Sequence, residues 1–403
     1  MTTSRVVLTC VIAFGLIATG CGGSASSQAA SKPAPLLSRM PLSPAPAPSP
    51  SPSAARSCAA RVFNRMTEAQ RVGQLFLAGM PAQGGPGAEL TGAIRSYHLG
   101  SVLFMGNTSA GIPSIRSVAS SVQRLAGGNA GVRFFVAANQ EGGQIQPLRG
   151  PGFSAMPSAV RQGTMSVATL TKDARTWGRQ LTAAGVNLNL APVLDVVPPG
   201  TASQNAPIGQ LDREYGTAPG PVASHGVAFI DGMRAARVAA AAKHFPGLGR
   251  VRGNTDFTAN VVDTVTTAND PYLGTYRAAI GVGVPFVMVA LATYTRIDAR
   301  HQAVFSSKIV SGLLRKKMGF TGVIMSDDLG GAAAIASIPP GTRAIDFLEA
   351  GGDMITSQSA GVAVAMAAAV LSKASKEAWF RGVVSDAVLR ILAVKGDYGL
   401  LPC

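Results

Sequence analysis

Four short clusters of polar residues each follow an apolar run in the sequence. Their carboxylate, amide, amine and imidazole side chains can bind hydroxyl groups or transfer protons. The clusters are Asn-Gln-Glu-Gly-Gly at 139–143, Asp195, Lys243 with His244, and Ser-Asp-Asp at 326–328. Any one of them has an equally good structural explanation, because polar side chains satisfy the backbone amides of loops. Four clusters at the ends of four apolar runs favour a functional site.

The elements that would position these clusters are short β-rich runs alternating with helical stretches. Continuous Val, Leu, Phe and Ile runs are typical of parallel strands that are covered on both faces. Thr67 to Gln70 has the pattern of a capping box at the start of a helix. Helical stretches are predicted at 119–125, 170–184, 222–236, 308–317 and 360–372, and strands at 74–78, 101–105, 133–138, 187–191, 239–245, 286–290, 322–325 and 353–356.

Repeated alternation of strand and helix implies right-handed crossovers. Eight such units fit a single (β/α)₈ TIM-type barrel within residues 58–403, and an open doubly wound sheet is the alternative α/β fold. In a barrel, the active site lies at the carboxyl ends of the strands, where the four clusters fall. Neither GxGxxG after the first strand nor GxxxxGK[ST] occurs, so nucleotide binding has no support.

Residues 1–20 are predicted to be a lipoprotein signal peptide. Arg5 precedes an apolar stretch at 6–17 that is too short to span a bilayer as a mature helix. Ala-Thr-Gly then leads into Cys21, as in a bacterial lipobox, so Cys21 is predicted to carry the lipid. The alternatives are an ordinary signal peptide cleaved near Gly20 and a buried cysteine at position 21.

Residues 21–57 are predicted to be a disordered tether, because this Pro-, Ala- and Ser-rich segment cannot bury enough apolar surface to fold. It would hold the domain at 58–403 away from the extracytoplasmic face of the membrane, with proteolytic shedding left open. Cys58 and Cys403 bracket that domain in an oxidising compartment. A disulfide between them is therefore predicted, with two free thiols as the alternative.

The composition limits the partners. The 403-residue chain has 35 lysines and arginines against 20 aspartates and glutamates, a formal net charge of +15. Such an excess suits nucleic acid, an anionic membrane or an anionic cell wall, but the absence of basic runs and aromatic ladders argues against nucleic acid. The four histidines are scattered, with no HExxH or CxxC, so no metal and no cofactor are expected.

Several segments, in order, resemble glycoside hydrolase family 3, in its bacterial β-N-acetylglucosaminidase branch. Lys-His-Phe-Pro-Gly-Leu-Gly at 243–249 is similar to the KHFPGHG signature, and residues 139–143 resemble DQEGG. Gly-Phe-Thr-Gly-Val-Ile-Met-Ser-Asp-Asp-Leu at 319–329 resembles the GFxGVIxSDDL nucleophile segment, while 66–76 and 187–196 are similar to the opening helix and the fourth strand. The resemblance implies a single barrel without a second domain.

The resemblance also implies a reaction. Cleavage of a β-glycoside through an oxocarbenium-like transition state needs a carboxylate beneath the anomeric carbon and a proton for the departing oxygen. Asp327 matches the nucleophile of a retaining double displacement, and Asp328 is its structural neighbour. The family's proton donor is a His in an Asp-Ser-His triplet, thirteen residues after the Lys of KHFPG. Counting without gaps places Asn254 on the Asp and Asp256 on the His.

This departure has two interpretations. Either Asp256 serves directly as acid/base with Asn254 as a neutral partner, or the site has decayed and only binds sugar. We favour the first. An anionic loop should also repel phosphate, which argues for hydrolysis over phosphorolysis.

The sugar-binding positions of the family are matched unevenly. Lys243 and His244 match residues that hold hydroxyls of the terminal sugar, and Arg213 resembles the family's sugar-binding Arg. Asn139 stands where the family has Asp, so it can bind a hydroxyl without charge assistance. The family's two arginines after EGG become Gln144 and Pro147, with Arg149 a candidate replacement.

These features predict a lipid-anchored, exo-acting retaining β-N-acetylglucosaminidase. It would remove terminal β-linked N-acetylglucosamine from peptidoglycan-derived fragments, as a monomer and without a cofactor. The alternatives are a non-catalytic muropeptide-binding lipoprotein and a family 3 β-glucosidase.

Overall fold

The computed structural model describes residues 52–403, so the predicted signal peptide, Cys21 and most of the predicted tether lie outside the described residues. Ten strands are present in this part of the chain. They are β1 (Phe76–Pro81), β2 (Ser101–Met105), β3 (Phe135–Ala138), β4 (Leu188–Asn189), β5 (Ala239–Phe245), β6 (Val262–Asp263), β7 (Phe286–Val289), β8 (Thr293–Tyr294), β9 (Val323–Asp328) and β10 (Met354–Ser357).

Eight of these strands form a closed barrel in the order β1-β2-β3-β4-β5-β7-β9-β10. All neighbours pair in parallel, and the circle closes where Phe76 of β1 lies opposite Ile355 of β10. The predicted (β/α)₈ barrel is thus confirmed, and the open sheet is excluded. Rings from β3 and β7, which are not neighbours, meet edge to face inside it, with the centroids of Phe135 and Phe286 5.3 Å apart.

Helices follow the strands around the barrel and cover its outer face. The predicted capping box is present, because Thr67 Oγ1 accepts a bond from the Gln70 amide and Gln70 Oε1 accepts one from the Thr67 amide. The helices are α1 (Pro52–Arg65), α2 (Glu68–Gln74), α3 (Gly87–Tyr97), α4 (Gly111–Gln123), α5 (Ala159–Gln162), α6 (Val167–Ala183), α7 (Pro219–Ala235), α8 (Gly274–Gly281), α9 (Pro340–Glu349), α10 (Ala360–Lys376) and α11 (Ala378–Asp397), with a π-helix at Lys308–Lys317.

The two shortest strands, β6 and β8, lie outside the barrel. They pair in parallel with each other, Val262 opposite Thr293 and Asp263 opposite Tyr294. Their pairing ties the loop after β5 to the loop after β7. The sequence did not predict them, because two residues are too few to show a strand period.

The two ends of the domain are joined. A disulfide links Cys58 in α1 to Cys403, with a Cα–Cα distance of 6.1 Å. Helix α1 begins at Pro52, within the segment predicted as tether. Among the helices from Pro52 onward, none has both the length and the apolar character needed to cross a bilayer.

Candidate active site

A cavity of about 270 Å³ opens at the carboxyl ends of the barrel strands. Its size lies near the lower end of the range for small-molecule sites. Six residues singled out in the sequence all line it, namely Asn139, Arg213, Lys243, His244, Asp256 and Asp327. The fold therefore brings together side chains that are up to 188 positions apart, from Asn139 to Asp327.

The adjacent carboxylates at the end of β9 have different surroundings. Asp327 lines the cavity, and its Oδ1 accepts one bond, from the amide of Asp328 at 2.9 Å. Asp328 is buried and accepts bonds from three backbone amides, those of Gly330, Gly331 and Gln358, at 2.8–2.9 Å. Asp328 thus orders the loops around it, while Asp327 keeps acceptor capacity for a ligand.

Glu141 is the centre of a buried ion network beneath the cavity. Its carboxylate accepts two bonds from Arg213, both at 2.8 Å, and lies 2.6 Å from Lys243 Nζ. Burial alone would raise the pKa of Glu141, but the charges and hydrogen bonds of Arg213 and Lys243 outweigh it and lower that pKa to about 2. Glu141 is therefore ionised, and it fixes the positions of both cations.

Lys243 and Arg213 also donate hydrogen bonds to acceptors other than Glu141. Lys243 Nζ donates to Asn139 Oδ1 at 2.8 Å, and Arg213 donates to the carbonyl of Pro207 at 2.7 Å. Both cations lie close enough to Asp327 for their charges to interact with it. The cavity floor is consequently a set of fixed donors around one carboxylate.

His244 is oriented from beneath by Asp195. The carboxylate of this fully buried Asp accepts a bond from His244 Nδ1 at 2.7 Å and others from the amides of His244 and Leu248. Tyr276, from α8, also donates its hydroxyl to Asp195, at 3.2 Å. With Nδ1 engaged, His244 turns Nε2 toward the cavity, 3.4 Å from Arg213.

Asp256 lies in the loop after β5, which is bonded to the segment after β9. The amide of Ala333 donates to the Asp256 carbonyl at 3.1 Å, and the amide of Ala334 donates to the Thr255 carbonyl at 3.0 Å. Asn254 accepts a bond from the Asp256 amide through Oδ1 at 2.9 Å. Asn254 therefore orders the loop backbone, in a contact different from the side-chain partnership expected from the sequence.

The surroundings of the Asp256 carboxyl group raise its pKa. Burial against the cavity wall, together with the charge of Asp327, raises its pKa to about 6, against the opposing charges of His244 and Arg213. The residue is nevertheless exposed at the rim, so solvent moderates these effects. A carboxyl group with a raised pKa, beside a second carboxyl group on one cavity, is the arrangement expected of a general acid next to a nucleophile.

The sequence did not predict that Glu141 and Asp195 hold the other polar side chains of the cavity in position. Both were noted as polar residues after strands, but their partners, Arg213 and Tyr276, lie 72 and 81 positions away. Arg149, suggested as a replacement for lost family arginines, does not line the cavity. It donates instead to the carbonyls of Gln146 and Gly143.

No metal-binding group was found in the part of the chain that the structure describes. No three His, Cys, Asp or Glu side chains there are arranged to hold an ion. The cavity chemistry is that of carboxylates, cations and amides.

The family can now be assigned. Residues 67–394 match the family described as "Glycosyl hydrolase family 3 N terminal domain". The chain belongs to glycoside hydrolase family 3. The matched residues include all eight barrel strands and every residue that lines the cavity described above.

Similar proteins carry hexosaminidase names. A "Beta-hexosaminidase" of Methylococcus capsulatus is 34% identical over 228 residues, 55% of this chain and 65% of that relative, so the chain spans slightly less than two thirds of its length. The structure of a β-N-acetylhexosaminidase from Beutenbergia cavernae is 45% identical, with a TM-score of 0.81, and the likeness covers 82% of this chain and 99% of that one. A family 3 β-N-acetylglucosaminidase from Paenibacillus is 27% identical, with a TM-score of 0.74 over 83% and 63% of the two chains.

Proposed function

We propose that the protein is an exo-acting, retaining β-N-acetylglucosaminidase that removes terminal N-acetylglucosamine from peptidoglycan-derived fragments. The observation that carries the proposal is the meeting of Asp327 and Asp256 at one cavity floored by Lys243, His244 and Arg213. Retaining hydrolysis needs an ionised nucleophile and a group that gives and takes a proton beside one sugar, and in most glycosidases both are carboxyl groups. Family membership supports the retaining course.

In the first step, Asp327 attacks the anomeric carbon and forms a covalent glycosyl-enzyme. The bond to the leaving oxygen breaks at the same time, and Asp256 donates its proton to that oxygen. A pKa raised to about 6 leaves a useful fraction of Asp256 protonated at mildly acidic to neutral pH. The ordinary pKa of an aspartate would leave far less.

In the second step, the ionised Asp256 accepts a proton from water as the water attacks the anomeric carbon. The bond to Asp327 breaks, and the sugar leaves with its original configuration. The same carboxyl group thus acts first as acid and then as base.

The cavity floor would hold the sugar hydroxyls. Lys243 and Arg213 are fixed by Glu141, and His244 is fixed by Asp195, so all three can present donors in a set geometry. Asn139 offers an uncharged amide in the same cavity. Donors held in place before binding cost little reorganisation when charge develops on the sugar.

Two observations support the choice of substrate. A cavity of about 270 Å³ suits one terminal sugar rather than an internal segment of a polymer, which favours exo action. The formal charge of +15 favours anionic wall fragments over neutral glycans. The hexosaminidase names of the similar proteins support N-acetylglucosamine as that terminal sugar.

The location is also part of the proposal. We infer that Cys21 is lipidated and anchors a monomeric enzyme to the extracytoplasmic face of the membrane. Cys21→Ala should then release the protein from the membrane fraction. If the variant stays membrane-bound after a high-salt wash, the anchor assignment is wrong.

The proposed activity is tested with paired chromogenic substrates. The wild-type protein should turn over an aryl β-N-acetylglucosaminide and act poorly on the matched aryl β-glucoside. A preference for the glucoside would indicate a family 3 β-glucosidase. Binding of muropeptides without any turnover would indicate a non-catalytic sugar-binding protein.

The role of Asp256 is tested by Asp256→Asn with and without azide. With an activated aryl leaving group, the first step should survive, while hydrolysis of the glycosyl-enzyme should slow because no base activates water. Azide needs no base, so it should restore turnover and give a β-glycosyl azide. Wild-type rates of Asp256→Asn on the natural disaccharide would place the acid/base elsewhere.

A further inference from the structure

Phe257 is the most exposed large apolar side chain in the described part of the protein. It is 83% exposed, while Trp379, the next, is 57% exposed. It directly follows Asp256 and lines the active-site cavity. Among the cavity-lining residues described, no other Phe, Tyr or Trp occurs.

Phe257 belongs to a loop whose backbone is held by hydrogen bonds. The Phe257 amide donates to the Asn254 carbonyl at 3.1 Å, and the amides of Ala333 and Ala334 hold the two residues before it. Thr255, two positions earlier, is buried. The backbone thus holds Phe257 at the cavity mouth without burying its ring, although burial of a Phe side chain would stabilise the fold.

The position of Asp256 defines what the ring faces. A general acid must lie within hydrogen-bond reach of the departing oxygen, so the residue beside it adjoins the leaving group. Lys243 and Glu141 occupy the buried floor, whereas Phe257 occupies the rim. The floor is suited to hydroxyl groups, and the rim offers an apolar surface.

We propose that Phe257 is the platform on which the sugar ring of the leaving group stacks. A pyranose presents C–H bonds on its faces, which pack on an aromatic ring while its hydroxyls stay in water. This subsite rests on the proposed function, since the leaving group is a sugar only if the protein cleaves glycosides of that kind. It would make Phe257 a binding residue that selects fragments by the sugar after the scissile bond.

The test compares two substrates that share the terminal sugar and differ in the leaving group. The first is N,N′-diacetylchitobiose, whose leaving group is a sugar, and the second is β-N-acetylglucosaminyl fluoride, whose leaving group has no ring. Phe257→Ala should lower kcat/KM for the disaccharide roughly fivefold more than for the fluoride. Most of the loss should appear in KM, and Phe257→Tyr should retain the wild-type ratio. Trp379→Ala, an exposed aromatic on α11 that does not line the cavity, is the matched control and should leave the ratio unchanged.

Each outcome decides a separate point. An equal loss on both substrates would show that Phe257 only supports the loop and would overturn the subsite, as would no loss on either. If the wild-type protein cleaves the fluoride but not the disaccharide, the rim does not accept the pyranose ring of N-acetylglucosamine and the subsite as proposed fails. If it cleaves neither, the proposed function fails and the subsite fails with it.

Discussion

The two ends of the barrel each bury a carboxylate between two cations, but they use the arrangement differently. At the carboxyl end, Glu141 lies between Arg213 and Lys243. At the amino end, Asp353 lies between Arg315 and Arg390, with nitrogen–oxygen distances of 2.5 and 2.7 Å. Residue types alone would not separate the two clusters.

The two clusters differ in what else their charged groups contact. Arg315 donates to the carbonyls of Phe320 and Gly322, and the Ile324 amide donates to Asp353, so this cluster ties the backbone together. Lys243 and Arg213 instead face an open cavity that also contains Asp327. Arg390 of the amino-end cluster also lines a cavity, so open space alone does not distinguish the two clusters. The carboxyl-end cluster lies at the end of the barrel where TIM barrels have their active sites, and it shares its cavity with Asp327 and Asp256.

The largest expected effect tests the carboxyl end directly. Asp327→Asn should lower turnover of every substrate by at least about 10⁴-fold, because no glycosyl-enzyme can form. Its melting temperature should stay close to wild type, since Asp327 accepts only one internal bond of those described, from its own neighbour. Kinetics on an aryl glycoside and a thermal melt measure both.

The adjacent carboxylate is the control for that variant. Asp328→Asn should lose stability, because an amide cannot replace all the acceptors that three backbone amides use. Its folded fraction should retain activity. Comparable loss of activity in both variants, at full stability, would leave the nucleophile assignment without support.

The next-largest expected effect concerns the charge cluster around Asp353, at the amino end of the barrel. Asp353→Asn removes the fully buried carboxylate that pairs two partly exposed arginines, Arg315 and Arg390, so it should destabilise the fold by about 1–3 kcal/mol. kcat/KM per folded molecule should not change. Denaturant unfolding and active-site titration together give both quantities.

Glu141→Gln is the matched variant at the other end. It should also reduce stability, and in addition it should lower kcat/KM about 100-fold, because Lys243 and Arg213 lose the anchor that positions them. If Asp353→Asn lowers kcat/KM as much as Glu141→Gln, the distinction between the two ends is wrong.

The fold was predictable because its signals are local. Strands β2 and β5 begin and end at the predicted residues. Each contains a run of four apolar residues, and Gly106 follows β2 while Pro246 and Gly247 follow β5. The barrel then follows from the alternation with helices. Strand β4 has only two residues where five were predicted, because few of its backbone groups pair in the ladder.

The candidate site was predictable only where a motif marks it. Lys243, His244 and Asp327 lie in segments whose spacing is specific, and Asp256 follows from a count along the same loop. The central position of Glu141 could not be predicted, because it depends on Arg213, which only the closed barrel brings near. Contacts between distant loops carry no local pattern.

The third prediction concerns the pH profile at the carboxyl end. In the proposed mechanism, Asp256 must be protonated for the first step with a poor leaving group, and its pKa is raised to about 6 by burial and by Asp327. Protonated Asp256 therefore falls tenfold per unit above that pH, and kcat/KM for the disaccharide should fall with it. For an activated aryl glycoside, whose leaving group needs no proton, this alkaline limb of kcat/KM should be absent. The same limb with both substrates would assign it to another group.

The smallest effect concerns a cation at the amino end that has neutral partners. Lys395 is buried, and its Nζ donates to Gln74 Oε1 at 2.7 Å and to the Gly100 carbonyl at 2.8 Å. Phe135 lies beneath it, with the ring centroid 5.7 Å away. Burial lowers the pKa of Lys395 from its ordinary 10.5 to about 7. This cation therefore lacks the countercharge that Glu141 supplies to Lys243.

Because the folded-state pKa of Lys395 is below the unfolded value, the unfolded chain holds the proton more tightly between pH 7 and 10.5. The free energy of unfolding should thus rise with pH through this window, by about 2 kcal/mol between pH 6.5 and 8.5 from this group. Lys395→Met, which keeps the apolar stem and removes the charge, should flatten that rise in urea unfolding measured at both pH values. An equal pH slope in wild type and Lys395→Met would mean that Lys395 stays charged in the folded protein, and that its two oxygen acceptors and the Phe135 ring stabilise the ammonium as well as a carboxylate does.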